Sequence, residues 1–495
     1  MMKKTLLFLT LVLIMPSTAF SSEETWVAGS PFNWEVKKSQ PLGFSINLGF
    51  RYESESSAIS REEVYSGSDS HVVKDLAFSR NTSILDLGGE FGFKGFSFFL
   101  NLPITISSQS IFKFQDGSTY TGYADFESCL DRHPTEEYLC NPSGVNSTNS
   151  TTVLSGISDG LFTPDSPLAG DAGVRTLFKG KNRSGLDQLH LGFKFNVPIF
   201  NQEEDHTKPF WVLVVDLGLP VGEVMDFERN SAGDPLCSNG SACVNPEIQR
   251  PVLNGAVGKG VYDVTLSSVM SKSIGRFDTY FKLYATLPFA YDSDSFYGSK
   301  YNFSDNWGMK DMKAPIKGGI LFGGDVNVYK NSENKIAVNI FAKGAIKGVF
   351  EGQDYSEAYE LFAGSPALNF YDGHETLNIL TSDQTLTNRI QYFPGITTVE
   401  NYAIFEALLG VNVRVTEYAI FQLAYGLKHH TEHFITYADR GVDGKDPTAT
   451  TPGEIDTGTR EINPYYRENI DSTGKRYRVQ ETMVHSLLLS FRVFY

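Results

Sequence analysis

From Leu189 to Val197 the chain alternates between two kinds of side chain. Leu189, Leu191, Phe193, Phe195 and Val197 are apolar, and His190, Gly192, Lys194 and Asn196 stand between them. The same beat runs from Phe277 to Phe289, with Asp278, Tyr280, Lys282, Tyr284 and Thr286 in the intervening positions. Successive side chains of a strand leave opposite faces, so a period of two builds a ribbon with one apolar and one polar face. On a helix, positions i and i+2 sit about 200° apart and no such face forms. The repeat predicts β-strands.

Twelve segments carry it, near residues 42–53, 83–94, 96–107, 186–199, 209–221, 258–271, 275–289, 316–330, 335–349, 400–414, 417–430 and 480–495. Five connections are short: Gly95, "NQEEDHTKP", "SKSIGR", "NSEN" and "TE". Six are long, and the two classes alternate. This predicts an all-β fold, a transmembrane antiparallel β-barrel of twelve strands with short periplasmic turns, long extracellular loops and both termini inside. An even count is what closure with both termini on one side requires. "DAGVRTLFKG" (171–180) is a further strand candidate, but counting it alone breaks both the even number and the alternation. It is therefore expected in the second long loop or as an extension of the fourth strand. Fourteen strands, with one more weak strand, is the alternative. A soluble β-sandwich also alternates, but nothing in that architecture makes its loops alternate in length.

Parity then separates the two faces. One reads Phe44, Ile46, Leu48, Phe50 in the first strand, Phe98, Leu100, Leu102, Ile104 in the third and Trp211, Leu213, Val215, Leu217 in the fifth, nearly without charge. The other carries the lumen-lining candidates Arg51, Asp86, Glu90, Lys194, Asp216, Asp263, Asp278, Lys282, Asp325, Lys343, Glu406, Arg414 and Arg492. A slip of one residue would place Lys282 or Lys343 in lipid, at roughly 2–4 kcal/mol for each lysine near the midplane. Charge of both signs inside fits either a wall-stiffening network or a polar conduction path. A twelve-strand lumen lies between a side-chain-filled eight-strand barrel and an open porin.

The N-terminus adds a compartment. Lys3 and Lys4 precede the apolar run Leu6 to Met15, then Pro16 and small residues, the pattern of a cleaved signal peptide over residues 1–21. Residues 22–41, with Trp26 and Trp34, form a periplasmic leader or a short plug, and residues 42–495 are the barrel. The final "HSLLLSFRVFY" places Phe491, Val493 and Tyr495 on the lipid parity. It resembles the C-terminal aromatic signal read by the barrel-assembly machinery, which makes that machinery an expected partner. The expected location is a Gram-negative-type outer membrane, in contact with its lipid and lipopolysaccharide.

The net charge of −16 argues against nucleic acid, which calls for clustered basic residues. Four cysteines fall as close pairs, Cys129 with Cys140 and Cys237 with Cys243, and local disulfides are expected in an oxidising compartment. Neither spacing suits a zinc finger. In "KHHTEH" (428–433) His429 and His430 leave a strand on opposite faces, so no metal site is expected. The acidic loop stretches "YDSDSF", "FEGQDYSEAYE" and "ADRGVDGKD" lack a calcium-loop pattern. No nucleophile, zinc-protease or phosphate-loop motif appears, and His485 has no lipid-facing serine beside it, so neither enzyme activity nor a cofactor is expected.

The stretches "SGLDQLHLGFKFNVPIFNQEEDHTKPFWVLVVDLGLPVGE" (184–223) and "VGKGVYDVTLSSVMSKSIGRFDTYFKLYATLPFA" (257–290) are similar to the core of the outer-membrane channels for long-chain fatty acids and aromatic hydrocarbons, including the phenol-degradation transporter-like group. The shared features are a hairpin, an apolar strand ending in "LPVGE" (Leu219 to Glu223) and a glycine-rich entry to the next hairpin. The resemblance implies a barrel that passes small, hydrophobic solutes. It departs from that group in strand number, since those channels usually have fourteen, and in its short N-terminal segment.

Overall fold

The computed structural model describes residues 42–64, 70–93, 96–114, 182–197, 209–225, 227–228, 252–253, 255–290, 313–331, 336–355, 370–371, 390–391, 396–416, 418–437 and 476–494. Twelve antiparallel strands close on themselves. In chain order they are β1 (Leu42–Val64), β2 (Ser70–Phe93), β3 (Phe96–Phe114), β4 (Gln188–Asn196), β5 (Phe210–Pro220), β6 (Val261–Ile274), β7 (Phe277–Ala290), β8 (Lys317–Asn331), β9 (Ile336–Val349), β10 (Tyr402–Thr416), β11 (Ala419–His430) and β12 (Thr482–Phe494). Each pairs with the next, and β12 returns to β1, from Ser45 opposite Phe494 to Ser56 opposite Met483. Closure leaves no barrel strand with an unpaired edge, which is what a hydrocarbon surrounding demands.

Local chemistry fixes the hairpins. Between β6 and β7 only Gly275 and Arg276 make the turn, with Ile274 opposite Phe277. Gly275 takes φ 65°, the left-handed corner that a two-residue hairpin needs and that a side chain disfavours. Along β5 buried and more exposed positions alternate, Val212, Val214 and Asp216 inward against Leu213 and Leu217 outward.

Two parts differ from the sequence expectation. The first long loop is mostly strand, because β1 and β2 stay paired up to Val64 opposite Ser70, across a one-residue bulge between Ile59 and Ser60. Apolar alternation stops where these strands rise clear of the apolar belt, but backbone pairing continues, helped by Arg80 donating to Glu55 at 2.6 Å. The fourth segment is broken at Asp187. Above the break the short strand Asn182–Leu186 pairs with β3, and below it β4 does. The Asp187 carbonyl accepts instead from the amides of Val221 (3.1 Å) and Gly222 (3.2 Å), and its carboxylate from the amide of Lys259 (3.1 Å). Gly222, in "LPVGE", lies so close to Leu186 that a Cβ there would collide with its carbonyl. The motif is the seam at which this crossing closes.

The signal peptide, the leader, the segment 171–180, all four cysteines and Tyr495 lie outside the described residues, as do "YDSDSF" and "ADRGVDGKD".

Candidate lumenal site

The wall separates two kinds of surface. Outward, Phe44, Ile46 and Leu48 of β1 are 45–54% exposed, Phe98 of β3 65% and Leu409 of β10 62%, within a belt of large apolar side chains around the barrel. Inward, Arg51, Asp86, Glu90, Lys282 and Asp325 are at most 5% exposed. A soluble protein does not leave so broad an apolar surface in water while enclosing its charges. The chain is a membrane-spanning β-barrel.

All thirteen charged candidates lie on the inward parity of their strands. Arg51 and Asp86 face each other at 3.1 Å. Glu90 accepts from Ser97 Oγ at 2.6 Å and from Lys194 Nζ at 3.0 Å, with Arg492 in the field of the same carboxylate. Asp216 meets His190 at 3.2 Å, Asp263 accepts from Gln188 Nε2 at 2.9 Å, and Glu406 meets Lys347 at 2.8 Å. Asp278 and Asp325 are register partners, with Lys343 in the field of Asp325. Arg414 lies opposite Ala337 and Ile420. Sequence reasoning did not single out Glu53, which holds Lys428 at 3.0 Å, or Glu55 with Arg80. Each of these pairs joins adjacent strands or strands one apart, so the network runs along the wall.

The lumen is also partly apolar, which the polar face drawn from the sequence did not anticipate. Phe99, Val212, Val214 and Val269 pack together, as do Tyr280, Leu321 and Ala345, and Phe341, Leu408, Ala424 and Leu488. These inward residues come from β3, β5 to β7 and β8 to β12. Lysines cap their rings, Lys194 at 5.5 Å from the Phe99 centroid and Lys343 at 4.9 Å from Phe341 and 5.9 Å from Tyr280, within cation–π range. Buried hydrogen-bonding atoms without a protein partner, among them both ends of Asn101, Tyr280 Oη and Asp325 Oδ1, add polar capacity to the same interior.

Above the membrane a parapet prolongs the wall. Gln353 N donates to Lys313 O (2.7 Å), Gly352–Tyr355 pairs with Ile396–Val399, Tyr437 N donates to Thr398 O (3.0 Å), Ile435 N to Tyr477 O (2.9 Å), and Tyr477–Val479 pairs with β1. Its tip is latched across the mouth. Asp354 pairs with Lys259, and Arg183 donates to Tyr355 Oη at 3.0 Å with its guanidinium 5.0 Å from that ring. Arg183 precedes β4 and Tyr355 follows β9, five strands round the ring, so the parapet leans over the opening. Burial opposes charge on Asp354, but the Lys259 ammonium outweighs it and holds the carboxyl below its usual range. A depressed pKa means the latch is fully charged above the ordinary carboxylate value, ~3.9, and is lost only as pH falls below it. Lys259→Ala is expected to cost only about 0–1 kcal/mol, as the pair is partly exposed, and to speed amide exchange across Gly352–Tyr355. Unchanged exchange there would show that the latch holds nothing.

The histidines of "KHHTEH" diverge. His429 Nδ1 lies 3.4 Å from Met483 Sδ, while the His433 ring stacks on Tyr402 with centroids 3.9 Å apart. Burial pushes the His433 imidazole down to about 4, so it stays neutral at neutral pH. Among the described residues no three metal-ligating side chains gather. His485, on the outer face, meets the Tyr425 hydroxyl at 2.8 Å.

No family model matches this chain. No curated protein matches it. Among solved structures it is similar to an outer membrane channel from Pseudomonas putida F1 (10% identity, 92% of this chain and 97% of that one, TM-score 0.35). It is also similar to a Pseudomonas aeruginosa FadL homologue (7%, 97% and 98%, TM-score 0.33) and to the outer membrane protease OmpT from Escherichia coli (6%, 92% and 96%, TM-score 0.26). At these values the likenesses carry no functional weight, and function is argued from the barrel itself.

Proposed function

We propose that the protein is an outer-membrane channel for the passive passage of small solutes with an apolar body. The observation that carries this is the direction of the lumenal ion pairs. A barrel built only to be solid would gain most from lacing opposite walls together, whereas the lumenal pairs above, among the described residues, run along the wall. The apolar residues on nine strands, set among charges, suit a solute that is neither an ion nor a plain hydrocarbon. The nearly complete burial of the inward side chains makes the path narrow, and the outer latch makes it gated.

Planar-bilayer recording on refolded protein tests this. Discrete conductance steps are expected, larger or more frequent in a Lys259→Ala, Arg183→Ala variant. Silence from both proteins at every voltage would overturn the channel function. The parapet supports a second function, a non-conducting barrel whose braced outer rim binds partners or lipopolysaccharide. That function predicts silence together with retention on lipopolysaccharide.

A further inference from the structure

Three inward rings of the apolar lumen share one arrangement. Phe99 of β3 stands opposite Gly192 of β4, Tyr280 of β7 opposite Gly323 of β8, and Phe341 of β9 opposite Gly410 of β10. Each time the ring belongs to one strand and its register partner on the following strand is a glycine. A Cβ added at any of the three glycines would run into the ring opposite, and also into a carbonyl of the strand on its other side, that of Val215, Ala342 or Leu423. The rings therefore lie down on the neighbouring strand, filling the dimple that a missing side chain leaves. None is more than 5% exposed, and the Lys194 and Lys343 ammonium groups sit over their faces.

We propose that Gly192, Gly323 and Gly410 are sockets that set the bore of the lumen by laying these aromatic rings flat against its wall. A ring denied its socket has only the lumen to turn into, because the other side of its strand is lipid. Lys343 stands over two of these rings, so a ring that leaves its socket also takes a face away from that ammonium. This proposal rests on the channel function above.

A ring–glycine pair outside the barrel, in which the ring is the one close contact, supplies a control. Phe322 of β8 stands opposite Gly344 of β9 on the lipid face, and a Cβ at Gly344 would approach its ring to 2.8 Å. Gly323→Val and Gly410→Val are expected to lower single-channel conductance by roughly two-fold or more, through a narrowed constriction, and Gly344→Val to leave it unchanged. The deciding variant is Gly323→Val with Tyr280→Ala. If the ring does the narrowing, removing it restores conductance. If the added valine alone narrows the lumen, the double variant stays as low as the single one and the socket idea fails. Thermal unfolding, followed by heat-modifiable gel migration, reads the same contact without conduction. The double variant should unfold at a higher temperature than Gly323→Val, and a lower one would count against the socket. A silent wild type would sink the channel function, while the melting order would still decide the socket.

Discussion

Arg51→Leu is expected to destabilise the barrel by about 3–5 kcal/mol, the cost of leaving a buried charge without its partner. Asp86 is 0% exposed, and besides Arg51 it feels Glu53, a carboxylate of the same sign, more strongly than the His190 imidazole. Removing the guanidinium therefore strands one acid beside another in the wall. Asp86→Leu should cost less, because Arg51 keeps Glu53 as a neighbour. The double replacement, which removes both charges, should recover most of the loss. Urea titration of refolding in detergent measures all three. A double variant as unstable as Arg51→Leu would mean that packing, and not charge, governs the site.

The second large effect is expected on the opposite face. Leu409 is 62% exposed between Ala342 and Tyr425 in the register, near the middle of β10. Leu409→Arg should lower stability in lipid by roughly 2–4 kcal/mol, as for a cation at the bilayer midplane. In a detergent that hydrates the guanidinium the loss should shrink. An equal, small loss in both media would place Leu409 outside the hydrocarbon zone.

How much of this was legible beforehand depended on which physical term wrote the residue. Strand number and inward parity were legible because lipid enforces them one residue at a time: Lys282 and Lys343 can face only the lumen. Beyond the membrane that pressure ends, so the upper half of β1, rich in Ser and Glu, and that of β2, without a strict beat of two, looked like loop while backbone pairing carried on. Val212 and Val214 were hidden by Leu213 and Val215 beside them, since a run that is apolar on both faces has no period to read. Partners were not legible at all. Glu53 meets Lys428 only because twelve strands close and bring together residues 375 apart. The ring sockets escaped for the same reason, as an aromatic and a glycine become a pair only once the register is known.

Closure by β1 and β12 also bears on how the protein comes into being. Ser45 and Phe494 are neighbours in space, so no shorter length of the nascent chain can complete the wall. A sheet of eleven strands would present two raw edges, each a row of amides and carbonyls that hydrocarbon cannot satisfy. Insertion is then all or none, and it waits on the slowest and most distant contact in the molecule.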